Sequence, residues 1–344
     1  MEGGAQHGHT PFGVRPCRAT SATLVRKQFN GMGSAMSSKT KTTFHPAKDT
    51  EQSEGAGVIL CRRTPGRHLR VAVFSWSVLA GDEHSQSPEE LCDSLTGGTE
   101  RCGPCDLIVT AGLPVNAELS AKTILDSSHG FPVLFESHSG HWLLAHQDQD
   151  EPQITMLRRR QIVSRYDQRK AFSQLAEIIA SGSGVIEFAH TDLKLVLFIC
   201  GENNLLQSQN NTSVLKSGPD GMRLLSTILG HRWAVLNSAH RAYFPQIRST
   251  GFAKVGSVGT GANSAGPTLR KLVESKKVFC DGTRSPIATI HVNNYRDDKP
   301  KTQRFSAVGF LNEVEGDCRM LGPFVGTLTN RSRTWRCSVI ELPT

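Results

Sequence analysis

Leu193-Lys194-Leu195-Val196-Leu197-Phe198-Ile199-Cys200-Gly201-Glu202-Asn203-Asn204-Leu205-Leu206 is the stretch on which the fold of this chain turns. Six apolar residues, interrupted only by Lys194, run directly into Cys200, and Gly201 then supplies the backbone freedom for a sharp turn. An apolar run of this length, partly β-branched and ended by a turn signal, predicts a strand buried on both faces. Cys200 then stands at the strand's exit, where open α/β layers carry their working side chains. A helix opening in the Glu-Asn-Asn-Leu-Leu segment would aim its free N–H groups at a thiolate. Glu202 opposes that thiolate by its charge, or serves as a proton carrier. The competing reading of Cys200 is a free cysteine acting as a small buried hydrophobe.

Working outward, Val185–Phe188 and Leu193–Ile199 form a strand pair, and 168–180 before it places Phe172, Leu175, Ile178 and Ile179 at helical spacing. Further upstream, 69–76 is a first core strand, and Ser87-Pro88-Glu89-Glu90 starts a helix with serine at the cap and proline at the first helical position. Asp106 to Thr110 reads as a second strand, and Asn116 as the cap of a helix running to Leu125. The segments 131–136 and 141–146 read as a hairpin around Ser139-Gly140, and 154–163 as a strand despite its three arginines. Downstream, 232–240 is a strand, 268–273 a helix, and 286–292 and 305–311 late strands. Helices set between strand pairs suit a layered α/β sandwich better than a strictly alternating parallel fold.

The chain has 344 residues, of which 38% are hydrophobic, and these are gathered into strand-like runs able to form a core. No run approaches the about 20 apolar residues of a membrane helix, so no membrane association is expected. The nine cysteines are odd in number and scattered, which does not read as a disulfide framework. A reducing, cytoplasmic home is expected, with the sequons at Asn210, Asn211 and Asn330 unglycosylated. Residues 1–57 lack apolar periodicity, and from Met1 to Lys48 seven basic residues face a single acid, Glu2. They read as a disordered basic tail ahead of one domain over 58–344. A net charge of +8 raises nucleic acid as a partner. The absence of a long basic block with interleaved aromatics argues against it.

The string Phe198-Ile199-Cys200-Gly201-Glu202 resembles the nucleophile motif of the nitrilase, or carbon–nitrogen hydrolase, superfamily, where a strand ends in Ile-Cys followed by an aromatic and an acidic residue. This chain has Gly201 at the aromatic position. With the element order, the resemblance covers roughly 69–311. It implies an α-β-β-α sandwich of nitrilase type that pairs into homodimers, needs no cofactor or metal, and acts on a small-molecule amide or nitrile. Cys200 would attack the amide or nitrile carbon and form a thioester that water releases. The family's general base is a glutamate after the strand matching 106–113; here Thr110-Ala111-Gly112 stands in that place, with Glu118 and Glu136 near in sequence as substitutes. The family's oxyanion-holding lysine matches the segment Met156–Ile162, which offers Arg158, Arg159 and Arg160. Period-two alternation puts Arg158 and Arg160 on one face with Ile162, which selects Arg160 as the cation. The alternative is a solvated basic strand edge. The catalytic set expected is thus Cys200, Glu202 and Arg160. Loss of two signature residues keeps open a catalytically silent ligand-binding or interaction protein on the same scaffold.

Three other patterns compete for chemistry. Cys102-Gly103-Pro104-Cys105 has redox spacing, but it follows a helix and leads into a strand, the reverse of the context that activates a first cysteine. It reads as a loop with two cysteines; Cys92 and His84 nearby match no zinc spacing. Asn237 and His240, after Cys200 in sequence, could activate a thiol as a Cys-His-Asn set, or be hydrogen-bonded structural residues. The glycine-rich stretch 251–266 lacks phosphate-loop spacing and reads as a mobile loop over the site.

Overall fold

The computed structural model describes residues 55, 57–64, 66, 68–78, 85–159, 161–162, 168–199, 202, 225–230, 232–239, 286–295, 306–310, 319–328 and 333–344. The chain divides into two units, Met1–Glu51 and Gln52–Thr344, and every described residue lies in the second. Gly55, on the tail side of the boundary read from sequence, is buried, and a side chain there would overlap the carbonyls of Met156 and Leu157.

The described residues form two mixed sheets with few helices, an α/β arrangement. The first sheet contains β1 (Val58–Leu60), β7 (Val185–Phe188), β8 (Leu193–Ile199), β9 (Arg232–Ala239), β10 (Pro286–Asn293) and β11 (Ser306–Phe310), in that spatial order. The second runs β12 (Arg319–Thr327), β13 (Thr334–Pro343), β2 (His68–Trp76), β3 (Leu107–Thr110), β4 (Val133–Glu136), β5 (Trp142–Asp148), β6 (Glu151–Arg158). In the first sheet β8 is parallel to β9 and antiparallel to β7; in the second β2, β3 and β4 are parallel, with antiparallel strands on either side.

Both sheets feed one hydrophobic cluster. Leu193, Leu195, Leu197 and Ile199 of β8 and Ala234 and Leu236 of β9 share it with Val71, Val73, Ile108 and Val109 of the second sheet. Val196, Phe198, Trp233 and Val235 are equally buried but lie outside that cluster, on the opposite face of β8 and β9. The double burial predicted for 193–199 is therefore present, and it follows from period-two alternation with apolar residues at both parities. Cross-links between the sheets include Ser238 Oγ donating to the Thr110 carbonyl at 2.6 Å and Asn294 Nδ2 donating to the Gly112 carbonyl at 3.1 Å.

Among the described residues the helices between strands include α1 (Pro88–Cys102), α2 (Ala121–Ser127) and α3 (Gln168–Ala180), and 225–229 is also helical. The start of α1 is as read from sequence. Ser87 Oγ accepts from the Glu90 amide, and the Glu90 carboxylate accepts from the Ser87 amide, closing a capping box. Helix α2 differs from expectation, since its cap is Ser120 and not Asn116. Asn116 instead lies in a bend just after the Val115 bridge, its amide donating to the Gln86 carbonyl. The last two strands, β12 and β13, carry no signal that separated them from loop, yet β13 pairs with β2 along its length from Trp335 to Pro343. No described helix is long and apolar enough to cross a membrane. The helix expected over 268–273 and the glycine-rich stretch 251–266 lie outside the described residues.

Candidate functional site

The exit of β8 is organised around a buried ion pair. Ile199 is the last residue of the strand, and Glu202 turns back so that its Oε2 accepts the Ile199 amide at 2.9 Å. Facing it from the other sheet is Arg158, the final residue of β6. Its Nη2 donates to Glu202 Oε1 at 2.7 Å, its Nη1 to Glu202 Oε2 at 3.2 Å, and Nη1 also to the Leu197 carbonyl at 3.1 Å. The Ile162 amide completes the set with a 3.0 Å bond to Oε1. Both side chains are nearly excluded from water, at 1% and 0% exposure. Charges so deep are tolerated only when paired and hydrogen-bonded, and a two-pronged guanidinium–carboxylate pair is the strongest such match.

The surrounding backbone is shaped to admit the arginine. Gly184, at φ +77°, opens β7, and a Cβ there would lie 2.6 Å from Arg158 Cδ. Its amide donates to the Leu157 carbonyl at 2.9 Å and its carbonyl accepts the Leu197 amide at 2.7 Å, so it ties β6 to β8. Ser183 Oγ adds a 3.1 Å bond to the same Leu157 carbonyl.

Glu202, expected as a proton carrier, has all four acceptor positions of its carboxylate facing donors from Arg158, Ile162 and Ile199. The geometry gives it the work of holding the strand exit. Of the two described arginines of the basic trio, Arg158 is inside, where β6 stops, and Arg159 beyond it is half-buried. Cys200, Gly201 and Arg160 lie outside the described residues, as do His240 and the side chain of Asn237.

Past the end of β3, positions 111 and 112 carry no acidic group, and the one carboxylate of 106–113, Asp106, is buried and accepts from Arg63, Thr64 and Arg70. Ala111 is buried with its amide on the Phe74 carbonyl, and the Gly112 carbonyl is taken by Asn294. The two glutamates near in sequence are separated by the fold, for Glu118 is exposed and Glu136 is buried at 3% exposure. Glu136 ends β4 and stands opposite Trp142 of β5, which stands opposite Arg158 of β6. Residues directly opposed in antiparallel pairs share a face. Glu136 is therefore in the same transverse row as Arg158, two strands or about 10 Å away, on the face that looks toward β8. Sequence spacing alone could not select it, because its position depends on the register of β4, β5 and β6. Among the described residues no cluster of histidine, cysteine or carboxylates suits a metal ion.

No family model matches this chain, and no curated protein matches it. Among solved structures it is similar to a carbon-nitrogen hydrolase from Helicobacter pylori G27, at 8% identity over 79% of this chain and 89% of that one, with a TM-score of 0.36. The likeness is distant and does not by itself establish a common fold.

Proposed function

We propose that the chain is a divergent carbon–nitrogen hydrolase-like protein of α-β-β-α sandwich type, in which Cys200 is the nucleophile toward a small amide or nitrile. The observation that carries this reading is the buried Arg158–Glu202 pair. It joins the segment that the family resemblance assigns to the oxyanion cation with the strand exit that it assigns to the nucleophile. Two regions 44 residues apart in sequence are thereby clamped at one place.

Cys200 attacks the carbonyl or nitrile carbon as its thiol proton passes to a carboxylate, a role this reading gives to Glu136 because it is buried in the same transverse row as Arg158. The oxyanion, or the nitrile's developing negative nitrogen, is met by the Arg160 guanidinium. For an amide, Glu136 returns the proton to the leaving amine, leaving a thioester; water then attacks it, releasing the acid and restoring the thiol. Glu202 and Arg158 position the turn that carries Cys200 and do not exchange protons with substrate. The active unit is a homodimer in this reading, which sedimentation of the full chain checks.

The test uses mass spectrometry of the intact chain incubated with a panel of short amides and nitriles. A Cys200 acyl adduct is expected, absent in Cys200→Ala. Replacing Glu136 by glutamine should slow its formation about 10²–10⁴-fold, with Glu118→Gln without effect. Iodoacetamide that reaches Cys200 only after denaturation would overturn the reading. A second reading is favoured by Ala111-Gly112 standing where the family has its base. It is a silent, ligand-binding member of the same scaffold, which takes up ligand without adduct or turnover.

A further inference from the structure

A second group of reactive side chains lies at the far end of α1, independent of the proposed hydrolase site. Cys102 is the last residue of that helix, Cys105 sits two residues before β3, and Cys337 belongs to β13. All three are free thiols and all are buried. The Cys102 and Cys105 sulfurs are 3.8 Å apart. Cys337 lies near enough to bear on the ionisation of Cys102.

The setting lets one of the thiols act as the nucleophile. A helix C-terminus disfavours a thiolate, and the Cys102 sulfur also lies near the Thr99 and Gly103 carbonyls at 4.0 and 3.6 Å. Against this, its contact with the Cys105 sulfur, the nearby Cys337 and the positive charge of Arg70 hold Cys102 below the ordinary thiol range despite burial. Cys105 is pushed up by the same contact, and Cys337 by its burial. Arg70 also fixes the turn, with Nη1 on the Pro104 carbonyl at 2.6 Å and Nη2 on the Cys102 carbonyl at 3.2 Å. Pro104 is exposed, Gly103 is half-buried and Cys102 retains 5% exposure, so the turn meets solvent where a small reagent can enter.

We propose that Cys102 and Cys105 form a redox-active dithiol site that closes to a disulfide on reaction with a peroxide. The Cys102 thiolate attacks one peroxide oxygen, the O–O bond breaks, and hydroxide leaves with Cys102 as a sulfenic acid. The Cys105 thiol then displaces the hydroxyl from the Cys102 sulfur, forming the S–S bond and releasing water. In sum, two thiols and one hydrogen peroxide give one disulfide and two waters. The sulfurs must close from 3.8 Å to about 2.05 Å, a movement within reach of the turn between them. The sequence order, helix before the motif and strand after it, argued for inert loop cysteines. What it could not show is that β13 delivers a third thiol, and that Arg70 of β2 lies beside the pair.

The test treats the native full chain with hydrogen peroxide, alkylates remaining thiols after unfolding, and digests it with trypsin. Cleavage after Arg101, Lys122 and Arg336 puts Cys102 and Cys105 together in peptide 102–122 and Cys337 alone in peptide 337–344. The expected result is a 102–122 peptide lacking two hydrogens and carrying no alkyl group, reversed by dithiothreitol, with peptide 337–344 fully alkylated. This should occur before the exposed Cys61 is oxidised. Cys105→Ser should abolish the loss and leave a sulfenic acid on Cys102 that dimedone captures. The proposal is overturned if both cysteines of 102–122 remain alkylatable while Cys61 is consumed, or if Cys102 links to Cys337 instead. Because the wild-type peptide alone decides this, a variant that fails to fold does not blunt the test.

Discussion

Replacing Glu202 with glutamine keeps its volume and removes its charge, which isolates the electrostatic part of the β8 exit. One accepting oxygen becomes an NH₂ group and so faces two donors, an Arg158 nitrogen and a backbone amide, with donors of its own. The guanidinium at 1% exposure then has no counter-charge on Glu202. Removing one partner of a buried pair costs about 3–5 kcal/mol, whereas an exposed pair contributes about 0–1. With a urea slope of about 2.5 kcal/mol per molar, the unfolding midpoint should fall by about 1.2–2 M at unchanged slope. Arg158→Met should act similarly. The double variant should lose less than the sum of the singles by about 1–3 kcal/mol, because the two side chains act as a unit. It will not return to wild-type stability, since one of the Ile162 and Ile199 amides still loses its acceptor and the Leu197 carbonyl loses its Arg158 donor. A midpoint shift under about 0.4 M for Glu202→Gln, the range of exposed pairs, or strict additivity in the double variant, would refute the reasoning.

Gly184→Ala should destabilise by more than about 1 kcal/mol, because it places a Cβ at positive φ and against the Arg158 stem. Thermal unfolding checks this, and an unchanged midpoint would show that the arginine moves aside freely. Half-buried Cys92 has its thiol pushed up, mainly by burial, with the Ser127 hydrogen bond working the other way. Its thiolate fraction at a given pH is therefore lower than an ordinary thiol's. Iodoacetamide should label it more slowly than exposed Cys61, and its rate should still be rising with pH above about 8.5, where an ordinary thiol is half ionised. Equal rates at pH 8 would contradict that.

Local chemistry was sufficient wherever the signal is carried by neighbours in the chain. The strand 193–199 and its two buried faces follow from apolar residues at both parities, and α1 begins at Ser87 because a capping box needs only four consecutive residues. The hairpin of β4 and β5 and the helix α3 were equally legible from periodicity and punctuation. Where local signals compete, the sequence misled: Asn116 and Ser120 are both good caps, and only the tertiary bonding of the Val115–Asn116 segment to Gln86 leaves the helix to start after Ser120. Strand β13 escaped because charged and apolar residues mix along it, and its burial comes from lying between its chain neighbour β12 and β2, which is far away in the chain. The same reason governs Arg158, which alternation grouped with Arg160 without telling a solvated edge from a buried clamp. That choice depends on where Glu202 lies, 44 residues on. Glu136 and Glu118 look alike in sequence, and only the register of three strands puts one of them inside, in line with Arg158. Composition and period set which segments are strands and helices; which charges meet is decided by strand order and register, because a buried charge is stable only beside a partner that the fold must bring to it.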